Sequence, residues 1–451
     1  VASLCVVFGV FVFTSPKKTN STNSFPVPYI MPQIWVVPLL LLTIKTTIID
    51  KTDNIFHRLS VEPSDLGIPL SIDMNNSMRA LAYNINPKAV PSGGTLEAVI
   101  YVGATENIGG SFRPYFLLKG ADGTVWNLLP HETVPPRWHR EPPPTQYWKT
   151  GDYGQFARQY QVMPGTPPGQ YNLVAIFFDE NTLETVKTVG STGTITADEI
   201  DLGMVSVVRP SMTVIRDSLG TNYSALGGLT DDIELLRGSS DRQQVSPGEM
   251  LTITMLFRAA DSPASDELMR IGLDGTSFTK IVDPTPGFRT SLWQQGDVWS
   301  GQYLVRIPAD TSDGEHQWTV TGSSGDKLSF GLIDITVPDR VYNRPLINNA
   351  TYLSFGKDIM LLGHDFSARV SQEDVLEIML LWQPINTPNN SLNSFVHIEN
   401  NRGVVVAQHD GIPAKWSRPT PGWLPGEYIM DIHPVPIMDY ISSETYQVYV
   451  G

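Results

Sequence analysis

The sequence predicts an all-β protein of three tandem Ig-like antiparallel β-sandwiches that follow an N-terminal transmembrane segment. Three observations predict this fold. From about Ser71 onward, short and often alternating apolar runs are interrupted by Pro, Gly, Asn and Asp, as is typical of sandwiches. One strand-and-turn unit recurs three times. The first fifty residues instead contain two apolar stretches separated by a polar loop.

Composition excludes several classes of protein. The 451 residues include one cysteine, which cannot form an intrachain disulfide or supply a cysteine-based zinc, iron–sulfur or c-type haem site. Basic side chains number 31 against 46 acidic ones, for a formal charge of −15, so the basic stripe that binds nucleic acid is not expected. Apolar residues make up 41%, which is enough for buried cores. We expect a folded, acidic protein with no cofactor and no nucleic acid partner.

Residues 1–50 are predicted to attach the chain to a membrane, and the best span is 29–49. Residues 1–14 are apolar but shorter than the roughly 20 residues that cross a bilayer core. The later stretch is long enough, with Trp35 near one end and Lys45 near the other, where both side chains suit the membrane–water interface. A buried core helix is the alternative for this stretch.

The loop between the two apolar stretches indicates the orientation in the membrane. Its Lys17 and Lys18 favour the cytoplasmic side, which places residues 51–451 on the extracytoplasmic side. A signal peptide is the alternative for the first stretch, although its basic residues follow the apolar run instead of preceding it. Because the chain starts at Val1, an alternative start codon, a processed end and a truncated longer protein all stay open.

The same features recur in the same order three times. In each copy an apolar strand follows a polar turn or entry, and a Gly-polar-aromatic step into another strand lies downstream. The strands are Leu96–Val102, Leu251–Phe257 and Leu376–Trp382. The steps are Gly154-Gln155-Phe156, Gly301-Gln302-Tyr303 and Gly426-Glu427-Tyr428, and a Trp-x-x-Gly-Asp segment precedes the first two. This repetition predicts three copies of one sandwich.

The repeat places the domain boundaries. After a linker over 51–70, the sandwiches are predicted at 71–208, 209–337 and 338–451. Proline in the links predicts semi-rigid connections. The first copy also carries a proline-rich insertion, 130–147, whose composition favours an extended conformation. This insertion is either a docking loop for another protein or a passive surface loop.

The third copy resembles a known family. Its ordered segments are Phe355–Asp365, Leu381-Trp382, Phe395–Ile398, Gly403–Pro413 and Arg418–Glu427. They resemble the extracytoplasmic C-terminal domain of bacterial, especially Chloroflexi-type, glycosyltransferase 39 or dolichyl-phosphate-mannose mannosyltransferase-like membrane proteins. The resemblance implies a β-sandwich outside the cytoplasm. It does not imply transferase activity, because those proteins carry their catalytic carboxylates within a bundle of many transmembrane helices, and this chain has at most two candidate spans.

Tryptophans are the main candidates for contact with a ligand or partner. Indole rings in loops rich in Pro and Gly can stack on sugar rings, but repeated sandwiches also use such rings to pack cores and loops. Both interpretations stay open for Trp138, Trp148, Trp293, Trp299, Trp416 and Trp423.

Catalytic and metal motifs are weak. His397, His409 and Asp410 lie on predicted neighbouring strands, but alternate residues of a strand face opposite sides, so His409 and Asp410 are expected to point apart. The sequence contains no GxSxG elbow, HExxH, P-loop or GxGxxG leading into a helix. Calcium binding stays open for aspartates that lack EF-hand spacing, namely Asp261, Asp266, Asp310 and Asp313.

The sequence therefore predicts a non-catalytic protein of the cell membrane. We expect a structural or accessory subunit of a cell-envelope or membrane assembly, with other envelope or membrane proteins as partners. The alternative is a carbohydrate-binding or glycosyl-transfer accessory module, with a glycan as its ligand.

Overall fold

The computed structural model describes residues 66–74, 77–128, 141–189, 195–210, 225–366, 375–437 and 445–451. All of them lie in one compact unit, residues 60–451. They are all-β: the regular elements are strands and three short 3-10 turns, and no helix among them is long and apolar enough to cross a membrane. The predicted span 29–49, with Trp35 and Lys45, and the candidate Trp138 lie outside the described residues.

The first group of strands forms two facing sheets. The strands are Ile68–Met74 (β1), Met78–Asn86 (β2), Ala89–Pro91 (β3), Thr95–Ala104 (β4), Phe112–Lys119 (β5), Tyr153–Gln161 (β6), Gly169–Asp179 (β7), Thr188–Val189 (β8), Ile195–Ala197 (β9) and Ile200–Val208 (β10). One sheet has the order β6-β4-β2-β1-β8-β9 and the other β3-β10-β7-β5. Phe156 of the first sheet meets Phe177 of the second edge to face, with ring centroids 5.7 Å apart, inside the core.

The second group repeats this plan. Its strands are Gly227–Gly228 (β11), Ile233–Ser240 (β12), Gln244–Val245 (β13), Met250–Ala259 (β14), Met269–Leu273 (β15), Thr279–Val282 (β16), Val298–Arg306 (β17), Gly314–Thr321 (β18) and Lys327–Ile335 (β19). They form the sheets β11-β12-β14-β17 and β13-β19-β18-β15-β16. Alternating residues of both sheets, such as Ile253, Met255 and Phe257 of β14, fill the space between them.

The third group forms smaller sheets. Its strands are Asn349–Phe355 (β20), Ile359–Phe366 (β21), Val375–Pro384 (β22), Ser394–Glu399 (β23), Val405–Gly411 (β24), Ile429–Pro436 (β25) and Gln447–Val450 (β26). The sheets have the orders β20-β21-β22-β25 and β24-β23-β26, so β24 is an edge strand. Leu380, Trp382, Val396 and Val435 are among the side chains that pack between them. The prediction of an all-β fold built from sandwiches is confirmed.

Two strand pairs depart from the antiparallel arrangement that the sequence predicts for the sandwiches. Two short strands, β3 and β13, each pair in parallel with the last strand of their sandwich. The chain then turns and enters the opposite sheet as β4 or β14. In the first sandwich the Gly94 amide closes this turn by donating to the Pro91 carbonyl at 2.8 Å. In these two sandwiches a short parallel strand therefore directly precedes the crossing between sheets.

The repeat of the apolar strand is confirmed, but part of the predicted alignment was wrong. Strands β4, β14 and β22 occupy the same central place, each between two antiparallel neighbours. Their equivalent positions Val102, Phe257 and Trp382 pair with Gly154, Trp299 and Ile429 respectively. The second Gly-polar-aromatic step, at Gly301, therefore lies two residues too late, and the third, at Gly426, three residues too early.

Candidate functional site

A tryptophan turn of common design precedes the return strand in each sandwich. The three turns are Thr145–Asp152, Thr290–Asp297 and Thr420–Glu427, and each reads Thr-x-x-Trp-x-x-Gly-Asp/Glu. In each, a three-residue 3-10 turn begins at the Thr, and the Trp is its C-cap residue. The Gly has φ of +88°, +84° and +83° in the three copies, a conformation that other residues adopt at a cost. These glycines are the equivalent ones, so among the three Gly-polar-aromatic steps only the third, at Gly426, begins at an equivalent glycine.

The threonine holds each tryptophan turn on the sandwich. Its hydroxyl accepts one backbone N–H and donates to one carbonyl of a single loop, and the side chain is buried in all three copies. The acceptor distances are 2.7 Å from Phe112 N to Thr145 Oγ1, 2.7 Å from Glu267 N to Thr290 Oγ1 and 3.0 Å from Leu392 N to Thr420 Oγ1. The hydroxyls donate to the carbonyls of Gly110, Ser265 and Asn390.

Four of the six candidate tryptophans lie inside the sandwiches. Trp148, Trp293, Trp299 and Trp423 are at most 2% exposed. The indole N–H donates to the Pro143 carbonyl at 3.0 Å in the first copy and to the Arg418 carbonyl at 2.9 Å in the third. A ring enclosed in a core presents no face to a ligand, so of the two interpretations left open for these four tryptophans the burial favours packing over stacking. Trp416 differs, since it is 62% exposed.

Arg209, which directly follows the last strand of the first sandwich, contacts the tryptophan turn of the second sandwich. Arg209 forms an ion pair with Asp297 through Nη1 and donates from Nη2 to the Leu292 carbonyl at 2.9 Å. Its guanidinium carbon lies 5.3 Å from the Trp299 ring centroid, which is a cation–π distance. Asp297 is buried and also accepts the Gln294 amide. The linker arginine therefore supplies the counter-charge for a buried acid of the next sandwich.

The linker between the second and third sandwiches does the same. Arg340 pairs with Glu427 at 3.0 Å and donates to the Gly422 carbonyl at 3.2 Å. Its other nitrogen donates to the Ala309 carbonyl of the second sandwich at 2.6 Å. Arg418 holds the second oxygen of Glu427 at 2.9 Å, and that carboxylate is completely buried. Leu292 and Gly422 both directly precede the Trp, so the two arginines make equivalent contacts.

Direct contacts between sandwiches accompany these arginines. At the first junction, Ser300 donates its amide to the Gly165 carbonyl at 2.7 Å, and Gln302 Nε2 donates to the Val125 carbonyl at 2.9 Å. At the second junction the backbones touch, since a Cβ added to Gly248 would lie only 2.2 Å from the Gly422 nitrogen. Both junctions are therefore close-packed contacts and not free linkers.

A polar cluster lies between the sheets of the third sandwich. It consists of Ser394 (β23), His409 (β24), Asp431 and His433 (β25), of which all but His409 are almost completely buried. Asp431 Oδ2 accepts from His433 Nε2 at 2.9 Å, from Ser394 Oγ at 2.5 Å and from Trp382 Nε1 at 3.3 Å. His433 Nδ1 lies 3.0 Å from His409 Nδ1. His433 Nδ1 also lies 3.2 Å from the His409 carbonyl oxygen.

The charges of the polar cluster depend on one another. Burial acts to raise the pKa of Asp431, but hydrogen bonds from His433 and Ser394 outweigh it and the pKa lies below its usual range. Burial, and then the neighbouring His433, lower the pKa of His409 against the opposing effect of Asp431 and Asp410. Asp431 is therefore ionised at neutral pH, although it is inside the protein.

The polar cluster does not have the geometry of an activated serine. Ser394 Oγ and Asp431 Oδ2 both contact the same His433 nitrogen, Nε2, at 3.1 and 2.9 Å. In a nucleophilic triad the hydroxyl and the carboxylate contact opposite ring nitrogens. Within the described ranges, no group of three or more His, Cys, Asp or Glu side chains is arranged to hold a metal ion. Sequence reasoning did not detect this cluster, because Ser394, Asp431 and His433 look like ordinary strand residues.

A left-handed turn connects the polar cluster to the surface. Ala414, Lys415 and Trp416 all have positive φ, at 56°, 56° and 67°. The Ala414 amide donates to Asp431 Oδ1 at 2.7 Å, so the second carboxylate oxygen holds the start of this turn. The indole of Trp416 lies against Gly411, where an added Cβ would be 2.8 Å from the ring. The left-handed turn thus exposes the Trp416 ring at the surface, while its first residue is hydrogen-bonded to the buried Asp431.

The remaining histidine and aspartate candidates form hydrogen bonds with other residues of the protein. His409 and Asp410 point apart, as predicted: His409 contacts His433 between the sheets, and Asp410 contacts His397 at 2.9 Å on the outer face. Among the calcium candidates, Asp266 accepts from Ser291 and Asp313 accepts the Val337 amide. These hydrogen bonds join segments that lie 25 and 24 residues apart in the chain.

The end of the proline-rich insertion is fixed by a buried ion pair network. Glu141 is 2% exposed and pairs with Arg113 at 2.8 Å and Arg158 at 2.6 Å. Arg113 also pairs with Glu180 at 3.0 Å. Residues 129–140 lie outside the described residues. Glu141 therefore attaches the C-terminal end of the insertion to strands β5 and β6.

No protein-family model matches this sequence, and no curated protein is detectably similar to it. Solved structures with distant likeness include the Bacteroides ovatus mixed-linkage glucan utilization locus SGBP-B in complex with a mixed-linkage heptasaccharide, with 11% identity, a TM-score of 0.15 and coverage of 80% of this chain and 72% of that one. Another is the teleost fish polymeric Ig receptor ectodomain, with 11% identity, a TM-score of 0.15 and coverage of 56% of this chain and 96% of that one. A third is a putative membrane anchored protein from Corynebacterium diphtheriae, with 11% identity, a TM-score of 0.15 and coverage of 82% of this chain and 86% of that one. At such low TM-scores these likenesses carry no argument about function.

Proposed function

We propose that this chain is a non-catalytic, membrane-anchored extracytoplasmic protein that serves as a structural or accessory subunit of a cell-envelope or membrane assembly. The proposal keeps the location that the apolar N-terminal stretches and the family resemblance imply. It does not include transfer chemistry.

The observation that carries this proposal is the repeated arginine junction. Each junction has an arginine that forms an ion pair with a buried acid in the tryptophan turn of the next sandwich. Arg209 pairs with Asp297, and Arg340 pairs with Glu427. Removing one partner of a buried ion pair leaves an uncompensated charge, which costs about 3–5 kcal/mol. Such junctions resist bending between neighbouring sandwiches. A fixed arrangement of domains suits a protein that spaces or supports other subunits.

The test is extraction of the full chain from membranes under native conditions, followed by identification of co-purifying chains. We expect recovery with other membrane or envelope proteins at fixed stoichiometry. The Arg340→Met variant, which keeps the N-terminal stretches, should stay in the membrane fraction and lose part of these partners. Recovery of the native chain from the soluble fraction, or as an isolated monomer, would contradict the proposal.

A further inference from the structure

The left-handed turn Ala414–Trp416 combines exposure with backbone strain. A non-glycine residue in the left-handed region costs roughly 1–2 kcal/mol, and three occur in succession here. Such strain persists only where the surroundings enforce it, and it concentrates at binding and catalytic sites. At its end the turn carries an indole that is 62% exposed. The Trp416 ring is not part of the core, whose buried tryptophans in the third sandwich are Trp382 and Trp423.

Buried groups hold the left-handed turn at both ends. At the start, the Ala414 amide donates to Asp431, whose other oxygen is held by His433, Ser394 and Trp382. Within the turn, the Trp416 amide donates to the Ile412 carbonyl at 3.0 Å. After it, Arg418 is fixed on the buried Glu427. A ring supported in this way is pre-organised and loses little further freedom when a ligand binds.

The surroundings of Trp416 indicate the chemistry of the ligand. One part of the ring lies against Gly411, and its chain neighbours Lys415 and Ser417 are exposed and polar. A protein interface of the usual kind surrounds its aromatic hot spot with further apolar residues, which are not found next to Trp416 in the chain. A sugar ring instead has an apolar C–H face that packs on an aromatic ring and hydroxyls that bond to flanking polar groups. The formal charge of −15 disfavours an acidic polysaccharide.

We propose that the left-handed turn of the third sandwich is a binding site for a neutral saccharide, with Trp416 as the stacking residue. Because Gly411 has no Cβ, the Trp416 ring can pack directly against its backbone. Asp431 acts as a positioning residue, since it accepts the hydrogen bond of the Ala414 amide at the start of the turn. This inference deepens the accessory role proposed above by naming a ligand class, but the binding itself requires neither the membrane nor a protein partner.

The test measures binding of neutral oligosaccharides to the full chain in a detergent without a sugar headgroup. The probes are hexasaccharides of β-1,4-linked glucose, mannose and N-acetylglucosamine, and the readout is isothermal titration calorimetry. We expect saturable binding of at least one probe, weakened about tenfold or more by Trp416→Ala, which removes the stacking face. Tyr352→Ala is the matched control, since Tyr352 is equally exposed, at 62%, in the same sandwich.

Two further variants separate positioning from stability. Gly411→Ala should weaken binding, because its Cβ displaces the indole, while circular dichroism shows the fold retained. Lys415→Gly removes one flanking polar group but adopts the same backbone conformation without strain, so it should weaken binding less than Trp416→Ala while the fold is retained.

Absence of saturable binding for all three probes, or equal binding by Trp416→Ala, would overturn the saccharide site. A co-purifying protein that is lost only from Trp416→Ala would overturn it in favour of a protein interface. If partners are still recovered from Trp416→Ala while no sugar binds, the accessory role survives and the saccharide site fails.

Discussion

Arg340 donates to Glu427 at 3.0 Å across the junction between the second and third sandwiches, and Glu427 is completely buried. The same arginine donates to the Ala309 carbonyl of the preceding sandwich. A single side chain therefore neutralises a buried carboxylate of the third sandwich and also donates a hydrogen bond to the second. Arg209 repeats the ion pair one junction earlier, on Asp297.

Replacing Arg340 by Met should destabilise the third sandwich. The substitution leaves Arg418 as the remaining counter-charge of a buried carboxylate, so we expect a loss of about 3 kcal/mol, measured by urea denaturation. Arg289→Met is the control, because Arg289 is 77% exposed and lies 3.8 Å from Asp266. An exposed pair of this kind contributes about 0–1 kcal/mol. Equal effects of the two substitutions would contradict the role of Arg340.

Gly248→Ala should loosen the second junction without changing a core. Its Cβ would lie 2.2 Å from the Gly422 nitrogen, so the two sandwiches must move apart. Gly287→Ala is a matched control, since Gly287 has a similar φ of +82° but no atom within 4 Å of an added Cβ. Limited proteolysis should cut the 338–348 segment faster in Gly248→Ala than in the control. Identical cleavage rates would show that the contact does not restrain the linker.

Thr420→Val should destabilise the third tryptophan turn. The substitution keeps the shape of the side chain but leaves the Leu392 amide and the Asn390 carbonyl without their partner. We expect a loss of about 1–3 kcal/mol in the free energy of unfolding. Thr145→Val and Thr290→Val should behave alike in their own sandwiches. An unchanged midpoint for all three would contradict the common design of the turns.

Lys415→Gly should leave stability unchanged or raise it by up to about 1 kcal/mol, because it relieves a left-handed lysine. Lys327→Gly in strand β19 is the comparison, and there glycine should cost about 0.5–1 kcal/mol. Chemical denaturation of both variants measures the difference. A similar loss in both would mean that the turn at Lys415 is not strained.

Mild acid should weaken the third sandwich through His409. Its pKa is lowered by burial and by His433, so the unfolded chain takes up the proton first as the pH falls below about 6.5. Stability is therefore full above that pH and decreases as the pH falls toward the folded pKa. His409→Gln should reduce this decrease between pH 7 and pH 5, measured by thermal denaturation.

Asp431 acts with the same sign as His409, because its pKa is also lowered in the fold, where hydrogen bonds stabilise its charge. Its contribution is present above the unfolded carboxyl pKa of about 3.9 and is lost as the pH falls through the lower folded value. The two groups therefore act in separate pH windows. An unchanged pH profile in His409→Gln would assign the mild-acid effect to another group.

Local patterns carried the prediction of strands and of the repeat. Leu96, Leu251 and Leu376 begin equivalent central strands because alternation and turn residues are visible in sequence. The Gly-polar-aromatic alignment failed because glycines of different function occur close together: Gly301 lies within a strand, whereas Gly426 closes the tryptophan turn.

The candidate site was less predictable, because it depends on contacts between distant residues. Trp416 and Trp423 look alike in sequence, and only folding shows that one is exposed and the other enclosed. Asp431 and His433 face inward on β25 at positions where apolar residues are expected. The contacts of Arg209 and Arg340 with acids 88 and 87 residues away follow from domain packing, which no local pattern encodes.

The central claim is that the two arginine junctions hold neighbouring sandwiches in a fixed arrangement. The most direct test measures the distance between a spin label on the second sandwich and one on the third. The labels are attached at Ser329→Cys and Gln408→Cys, and Cys5→Ala removes the single native thiol. Both label positions are exposed strand residues. We expect one narrow distance distribution in the chain that retains Arg340 and a broader one in Arg340→Met. A broad distribution in the chain that retains Arg340 would contradict it.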